Sequence, residues 1–339
     1  MTPSKTCVLL INLGTPDSPA VGDVRKYLRQ FLSDPRVIDI NPLGRFFLVN
    51  GIIVPFRSPK SAKVYKKLWT NEGSPLLVYG KKVKDKLQKN VPDNFTVELA
   101  MRYQNPSLKS VLDRVQKQNY SRIIILPLFP QYASSTTGSA VEETMRIINK
   151  WWVIPEIKII AQYFDRADFI KAFALQGEKY RPQNYDHVLF SYHGLPERHV
   201  DKAYQDGKPC KDHQCENVWN EENEYCYKAA CYETTRRIAK ELNLDTDKYS
   251  VAFQSRLGKD PWIQPYADKT VEELAKKGIK KLLVFSPAFV ADCLETTIEI
   301  GHEYKELFLE HGGKELQLVD SLNDSDAWIE CLKNIVLES

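Results

Sequence analysis

His187-Val-Leu-Phe-Ser-Tyr-His-Gly-Leu-Pro196 and Lys281-Leu-Leu-Val-Phe-Ser-Pro-Ala-Phe-Val-Ala-Asp-Cys-Leu-Glu-Thr296 share one design. Each opens on a short apolar run bounded by turn residues, the pattern of a strand buried on both faces of a parallel sheet. Each then passes directly into a turn that carries a reactive side chain, His193 in the first and Glu295 in the second. In open α/β sheets the carboxyl ends of the strands are where ligands bind.

Similar runs recur along the chain. Strands are expected near 6–13, 97–101, 122–127 and 156–161, and again near 187–191, 249–253, 281–285 and 315–319, with amphipathic stretches between them. That alternation predicts an α/β fold with parallel sheets covered by helices. The halves also echo one another. Leu13-Gly-Thr-Pro16 matches His193-Gly-Leu-Pro196, Ile125-Leu-Pro127 matches Phe285-Ser-Pro287, and a strand ending near Met101 with Arg102 matches one ending near Phe253 with Arg256. Self-similarity of this kind predicts two Rossmann-like lobes facing across a cleft: residues 1–165, residues 166–320, and a closing helix in 321–339. No G-x-G-x-x-G fingerprint follows any of the strands, which argues against a dinucleotide.

At 339 residues the chain suits two lobes rather than one core. Its net charge of +3 is small, and no basic cluster interleaved with aromatics appears, so no nucleic-acid partner is expected. No eighteen-residue apolar run suggests a span. The first strand begins too early to leave room for a signal peptide, so a reducing, cytoplasmic setting is expected. Seven cysteines are then better read as thiols than as disulfides.

His193 and Glu295 supply an imidazole and a carboxylate, a pair able to take up protons, bind a divalent metal, or do both in turn. Asp292, Glu295, Glu299 and Glu303 are spaced three, four and four, which on an α-helix is one face. Such a row is usually solvated. Here an apolar strand and turn precede it, and carboxylates stacked in a partly buried site would share protons and offer oxygen ligands to a cation.

Together with Leu10-Ile-Asn-Leu-Gly-Thr-Pro16, Glu72-Gly-Ser-Pro-Leu76, Met101-Arg-Tyr103, Pro127-Leu-Phe-Pro-Gln-Tyr132 and Phe253-Gln-Ser-Arg-Leu-Gly258, these segments resemble the signatures of the ferrochelatases. The resemblance runs from about residue 6 to about residue 300. It implies an enzyme that inserts ferrous iron, its substrate, into protoporphyrin IX to give protohaem, the last step of haem synthesis. It also implies that His193 binds metal or takes the pyrrole proton, that Glu295 faces it, and that Asp292, Glu299 and Glu303 form a proton or metal path. Leu13, Arg57, Tyr65, Ser74, Arg102 and Tyr103 match its porphyrin-contacting positions, although Leu13 stands where relatives place a sulfur or phenol ligand. A side chain without a donor can only pack on the ring. Alternative readings are a chelatase for coproporphyrin or for another tetrapyrrole and metal, and a non-catalytic porphyrin- or haem-binding iron sensor.

Pro42 to Phe56 is apolar enough to be a core helix, and short enough to be an interfacial segment. In ferrochelatases the matching stretch is a lip over the porphyrin, often in contact with the bilayer. Residues 42–56 would then be a peripheral contact at the inner face of the membrane.

Between about residues 200 and 232 lies a polar stretch carrying Cys210, Cys215, Cys226 and Cys231, two C-x4-C pairs ten residues apart. A loop poor in apolar residues needs something besides a core to hold it. Four thiolates suit a 2Fe-2S cluster or a structural zinc. Some ferrochelatases carry such a cluster, a few on an internal insert, so the resemblance favours it. Cys7, Cys293 and Cys331 lie in apolar patterns and read as buried thiols.

Overall fold

The computed structural model describes residues 5–256, 258 and 260–339; Leu257, quoted above in a signature, lies outside the described residues. Eight strands form where the apolar runs predict them: β1 (Thr6–Gly14), β2 (Phe95–Tyr103), β3 (Arg122–Pro127), β4 (Glu156–Ile159), β5 (His187–His193), β6 (Tyr249–Gln254), β7 (Lys281–Phe285) and β8 (Glu315–Leu318). They make two four-stranded sheets, ordered β2-β1-β3-β4 and β6-β5-β7-β8, with every pairing parallel. The strand order of the second is that of the first shifted by four. The echo in sequence is therefore an echo in topology.

The chain divides into two compact units. The first runs to Phe129 and includes Ala133–Gln162 and Asp324–Ser339; the second is Pro130–Tyr132 with Tyr163–Asn323. In the first unit Leu9, Ile11, Ile123 and Ile125 are fully buried under the helices Leu108–Gln116 and Ser139–Ile148. In the second, Leu189, Leu282 and Val284 pack beneath the helix Ala267–Lys276 and the segment ending in Lys305–Glu310. Central parallel strands are covered on both faces, so unbroken apolar runs are what they require. The closing helix forms over Asp326–Glu338 and belongs to the first unit, where Lys86 bonds the Asp324 carbonyl at 2.6 Å.

The stretch 42–56 is not a core helix. It comprises a helix over Pro42–Phe47, capped by Asn41, and a wide π-helical turn over Leu48–Ile53, and it runs into the helix Val54–Leu68. Val49 is buried, while Leu43, Phe46, Phe47, Ile52 and Phe56 are between 58% and 74% exposed. No helix among the described residues is long and apolar enough to cross a membrane.

Candidate active site

His193 is the last residue of β5 and stands in register with Gln254, the last residue of β6. Its Nδ1 lies 2.6 Å from the Gly194 carbonyl oxygen. A carbonyl only accepts, so Nδ1 carries a proton, and in the neutral ring the lone pair is on Nε2, the tautomer that serves as a base or metal ligand. Trp262 and Phe289 flank the ring, with centroids 6.4 and 6.5 Å away. The Tyr227 hydroxyl donates to the His193 carbonyl at 2.9 Å, and the Gly194 N–H donates to the Gln254 carbonyl at 2.7 Å. A Cβ on Gly194 would come within 2.9 Å of that same Gln254 oxygen, so the close approach requires glycine.

Glu295 lies in the first turn of a π-helical segment, Leu294–Tyr304, which follows β7. Segments of this kind are frequent at functional sites. Cys293 caps the segment, and burial together with the Glu295 carboxylate, to which its thiol bonds, pushes that thiol well up. Cys7, Cys293 and Cys331 are all buried.

Only Asp292 leaves the acidic row: the π-helical segment starts at Leu294, and its wider turn still brings residues four apart to nearly one face, so Glu295, Glu299 and Glu303 stay in line. Asp292 precedes the segment. Its Oδ1 accepts from the Ser321 N–H at 3.0 Å and its Oδ2 from Asn323 Nδ2 at 2.7 Å. Glu299 is met by four donors. Oε1 takes the Ser255 N–H and the Tyr304 hydroxyl, each at 2.9 Å, and Oε2 takes Gln254 Nε2 at 3.0 Å and the Ser255 hydroxyl. A carboxylate has about four acceptor sites, so this one is saturated. Burial and the Glu299 charge push the Tyr304 phenol up, which keeps it a donor. Glu303 is exposed. Asp292 and Glu299 each accept from several donors, and Glu295 is left as the carboxylate on which no such set of donors converges among the described residues.

Three of the expected porphyrin contacts are also engaged internally. Arg102 donates to Asp34 at 2.6 Å and to the Ser139 hydroxyl at 2.7 Å, and the fully buried Tyr103 donates to Asp34 at 2.9 Å. Ser74 is buried and accepts from Thr15 at 2.9 Å. Burial by itself would raise the pKa of Asp34. The Ser139 hydroxyl, the Arg36 N–H, the Arg102 charge and Tyr103 together hold it below the ordinary value. Arg57 is exposed at the end of the apolar stretch, Leu13 is half-buried at the end of β1, and Tyr65 packs edge-on against Tyr27. Gln254, Ser255, Tyr304 and Asp34 were not anticipated; only the quoted Gln254-Ser255 hinted at them.

Cys210, Cys215, Cys226 and Cys231 are all buried, in the segment between the short helix Glu197–Asp201 and the helix Tyr227–Glu241. Cys215 hydrogen-bonds with Cys210 and with Cys226, and the first bond, with burial, raises its thiol to about 11. Burial raises Cys231 above its usual range, and the neighbouring Cys226 and Cys215 add to the effect. Among the described residues no three His, Cys, Asp or Glu side chains stand together closely enough for one metal ion. The buried Tyr204 hydroxyl donates towards the Cys226 thiol, and its ring stacks on His213 at 3.6 Å. A buried donor aimed among thiols, with Lys228 near Cys215 and Cys210, suits an anionic sulfur-ligated group.

A model of the family "Ferrochelatase" matches residues 5–339. The chain is 46% identical over 331 residues to a ferrochelatase of Legionella pneumophila strain Paris, covering 98% of each chain. It is 46% identical over 338 residues to one from Coxiella burnetii strain Dugway 5J108-111, covering 99% of this chain and 94% of that one. Among solved structures, the sirohydrochlorin chelatase SirB from Bacillus subtilis subspecies spizizenii, in complex with cobalt, superposes with a TM-score of 0.55. That match is 10% identical and covers 98% of this chain and 94% of the other, so it is a likeness of fold.

Proposed function

Since the chain belongs to the ferrochelatase family, we propose that it inserts ferrous iron into protoporphyrin with release of two protons, completing haem, and that the carboxyl ends of the second sheet carry the chemistry. The observation that carries this reading is His193 with its Nε2 lone pair fixed by the Nδ1–Gly194 bond, on the same sheet end as the unsaturated carboxylate of Glu295. Insertion needs a base for two pyrrole N–H groups and a ligand that holds the metal while its water is shed. Nε2 of His193 does the first and can do the second; Glu295 is the anionic partner that accepts the proton or steadies the metal. Among the first unit's residues, Arg57 and Tyr65 are the partners for propionates, and Leu13 packs on the macrocycle. The exposed apolar surface of Leu43, Phe46, Phe47, Ile52 and Phe56 makes residues 42–56 a peripheral membrane contact, suited to receiving a lipid-soluble porphyrin.

Cys210, Cys215, Cys226 and Cys231 would hold a 2Fe-2S cluster, with zinc as the alternative. The two C-x4-C pairs, the bonds that link Cys215 to Cys210 and Cys226, and the Tyr204 hydroxyl and Lys228 beside these thiols support the cluster. It would supply one-electron chemistry and a covalent tie for a loop that lacks a core.

The test is anaerobic. Purified protein mixed with ferrous iron and protoporphyrin should consume porphyrin fluorescence in proportion to haem formed, and His193→Ala should not. A parallel assay with coproporphyrin identifies the preferred ring. Failure of the protein to insert any divalent metal into either ring would overturn the reading. A visible spectrum that bleaches with dithionite distinguishes cluster from zinc.

A further inference from the structure

Gln254 bonds to both segments that carry His193 and Glu295. Its backbone carbonyl holds the Gly194 N–H immediately after His193 at 2.7 Å. Its side-chain Oε1 accepts from the Ser191 hydroxyl at 2.7 Å, on the strand that carries His193. Its Nε2 donates at 2.9 Å to the main-chain carbonyl of Glu295 and at 3.0 Å to Glu299. The amide is 1% exposed, so these bonds are made without competition from water. Glu299 in turn is fixed by Ser255 and Tyr304 and has no acceptor site to spare.

The first sheet provides an independent comparison. Asn12 is opposite Met101 and Gly14 opposite Tyr103, so Leu13 stands beside Arg102 as His193 stands beside Gln254. Counting on from Pro127 and Pro287, Ser139 takes the place of Glu299. Arg102 and Ser139 are bonded to one another as well, Nε to Oγ at 2.7 Å and Nε to the carbonyl at 3.1 Å. Leu13 offers no proton or metal chemistry there. The fold thus uses this pair of positions to tie one strand end to the turn after another strand, whether or not a reaction takes place beside it.

We propose that Gln254 and Glu299 are positioning residues of the insertion reaction: Glu299 is the saturated anchor that, through Gln254, fixes the main chain bearing Glu295 against the strand end bearing His193, and neither metal nor proton passes through it. This rests on the reading of His193 and Glu295 given above.

The test uses the full-length protein and three variants, Gln254→Met, Glu299→Gln and the double variant, assayed with ferrous iron and with zinc. Each single variant lowers kcat tenfold or more and changes KM for either metal less than twofold. The limbs of the pH–rate profile stay where they are in the parent. The double variant is no slower than the slower single one, because both remove one tie. Ser255→Ala, which deletes one of four donors and leaves the pair intact, lowers kcat two- to threefold and provides a milder reading should either larger variant fold poorly. Melting temperature and porphyrin binding, followed by fluorescence, separate misfolding from mispositioning. The proposal is overturned if Glu299→Gln raises KM for metal or moves a pH limb while Gln254→Met is harmless, or if the two effects multiply. A parent protein that inserts no metal would instead overturn the functional reading on which the proposal stands.

Discussion

The two sheets are one scaffold used twice, and they differ in a few side chains at their carboxyl ends. Where β5 ends in His193, β1 presents Leu13. Where the turn after β7 carries Glu295, the corresponding turn after β3 carries Ser135, also in a π-helical segment. The positions of Gln254 and Glu299 are held in the first sheet by Arg102 and Ser139, with Asp34 as the buried anion. One sheet end joins an imidazole to a carboxylate left open. The other closes its charges on themselves. The buried Asp34 in the first unit and the half-buried Glu299 in the second are both met by converging donors, whereas no such set converges on Glu295 among the described residues.

The largest expected effect falls on one side of that comparison. His193→Ala should lower turnover by about 10²- to 10⁴-fold, the range for losing a general base. Glu295→Gln should abolish turnover and leave porphyrin binding largely intact, as read by fluorescence titration. Ser135→Ala, at the matching position of the first sheet, should leave turnover within about twofold, the range expected away from reacting groups. Equal losses at Ser135 and Glu295 would break the contrast between the two sheet ends.

Most of the architecture was legible because its cause is local. Eight apolar runs gave eight strands, and Leu13-Gly-Thr-Pro16 against His193-Gly-Leu-Pro196 gave the duplication. The places of His193, which ends β5, and of Glu295, in the segment after β7, were legible for the same reason, since both follow from such runs. The spacing of the acidic row fails only at Asp292, because the segment starts at Leu294 and a helical face cannot be extended back across the turn before it. The saturation of Glu299 depends on Ser255, 44 residues away, and that of Asp34 on Arg102, 68 residues away; no local pattern encodes either. Residues 42–56 were ambiguous in principle, since composition is the same whether apolar side chains face a core or a lipid surface.

Removing the anion of the closed end should cost stability rather than rate. Asp34→Asn leaves the Arg102 guanidinium, 15% exposed, without its counter-charge. Stripping one partner from a buried pair costs about 3 kcal/mol or more. A urea titration should therefore show a lower midpoint, with the effect on turnover far smaller than that of Glu295→Gln. A collapse of turnover in a still-folded protein would mean that the first sheet end is not inert.

The two glycines that follow Leu13 and His193 sharpen the contrast. A Cβ at Gly14 would lie 2.0 Å from the Tyr103 carbonyl oxygen, at a backbone φ of +117°. Gly14→Ala should destabilise by about 3 kcal/mol, from strain and overlap together. Gly194→Ala, with its nearest contact at 2.9 Å, should cost about 1 kcal/mol in stability, the order of a modest backbone shift. Its larger effect should be on kcat, because the displaced atoms are those that hold His193. The two substitutions should thus separate on a plot of turnover against melting temperature.

The smallest effect is one of pH, and it belongs to Asp34. Its carboxyl is held below the ordinary value in the folded protein, so the unfolded chain binds the proton more readily. The stabilisation is therefore complete above the unfolded value of about 4 and is lost as pH falls through the folded one. Denaturation midpoints measured downward from pH 5 should fall for the parent, and Asp34→Asn, lower throughout, should fall less steeply because it has no proton to take up there. Parallel slopes would mean that other carboxylates account for the acid loss and that the closed end gains nothing from its charge. A shallower slope would establish that the fold uses a charge in the first sheet for stability at the level where, in the second, it leaves one open for chemistry.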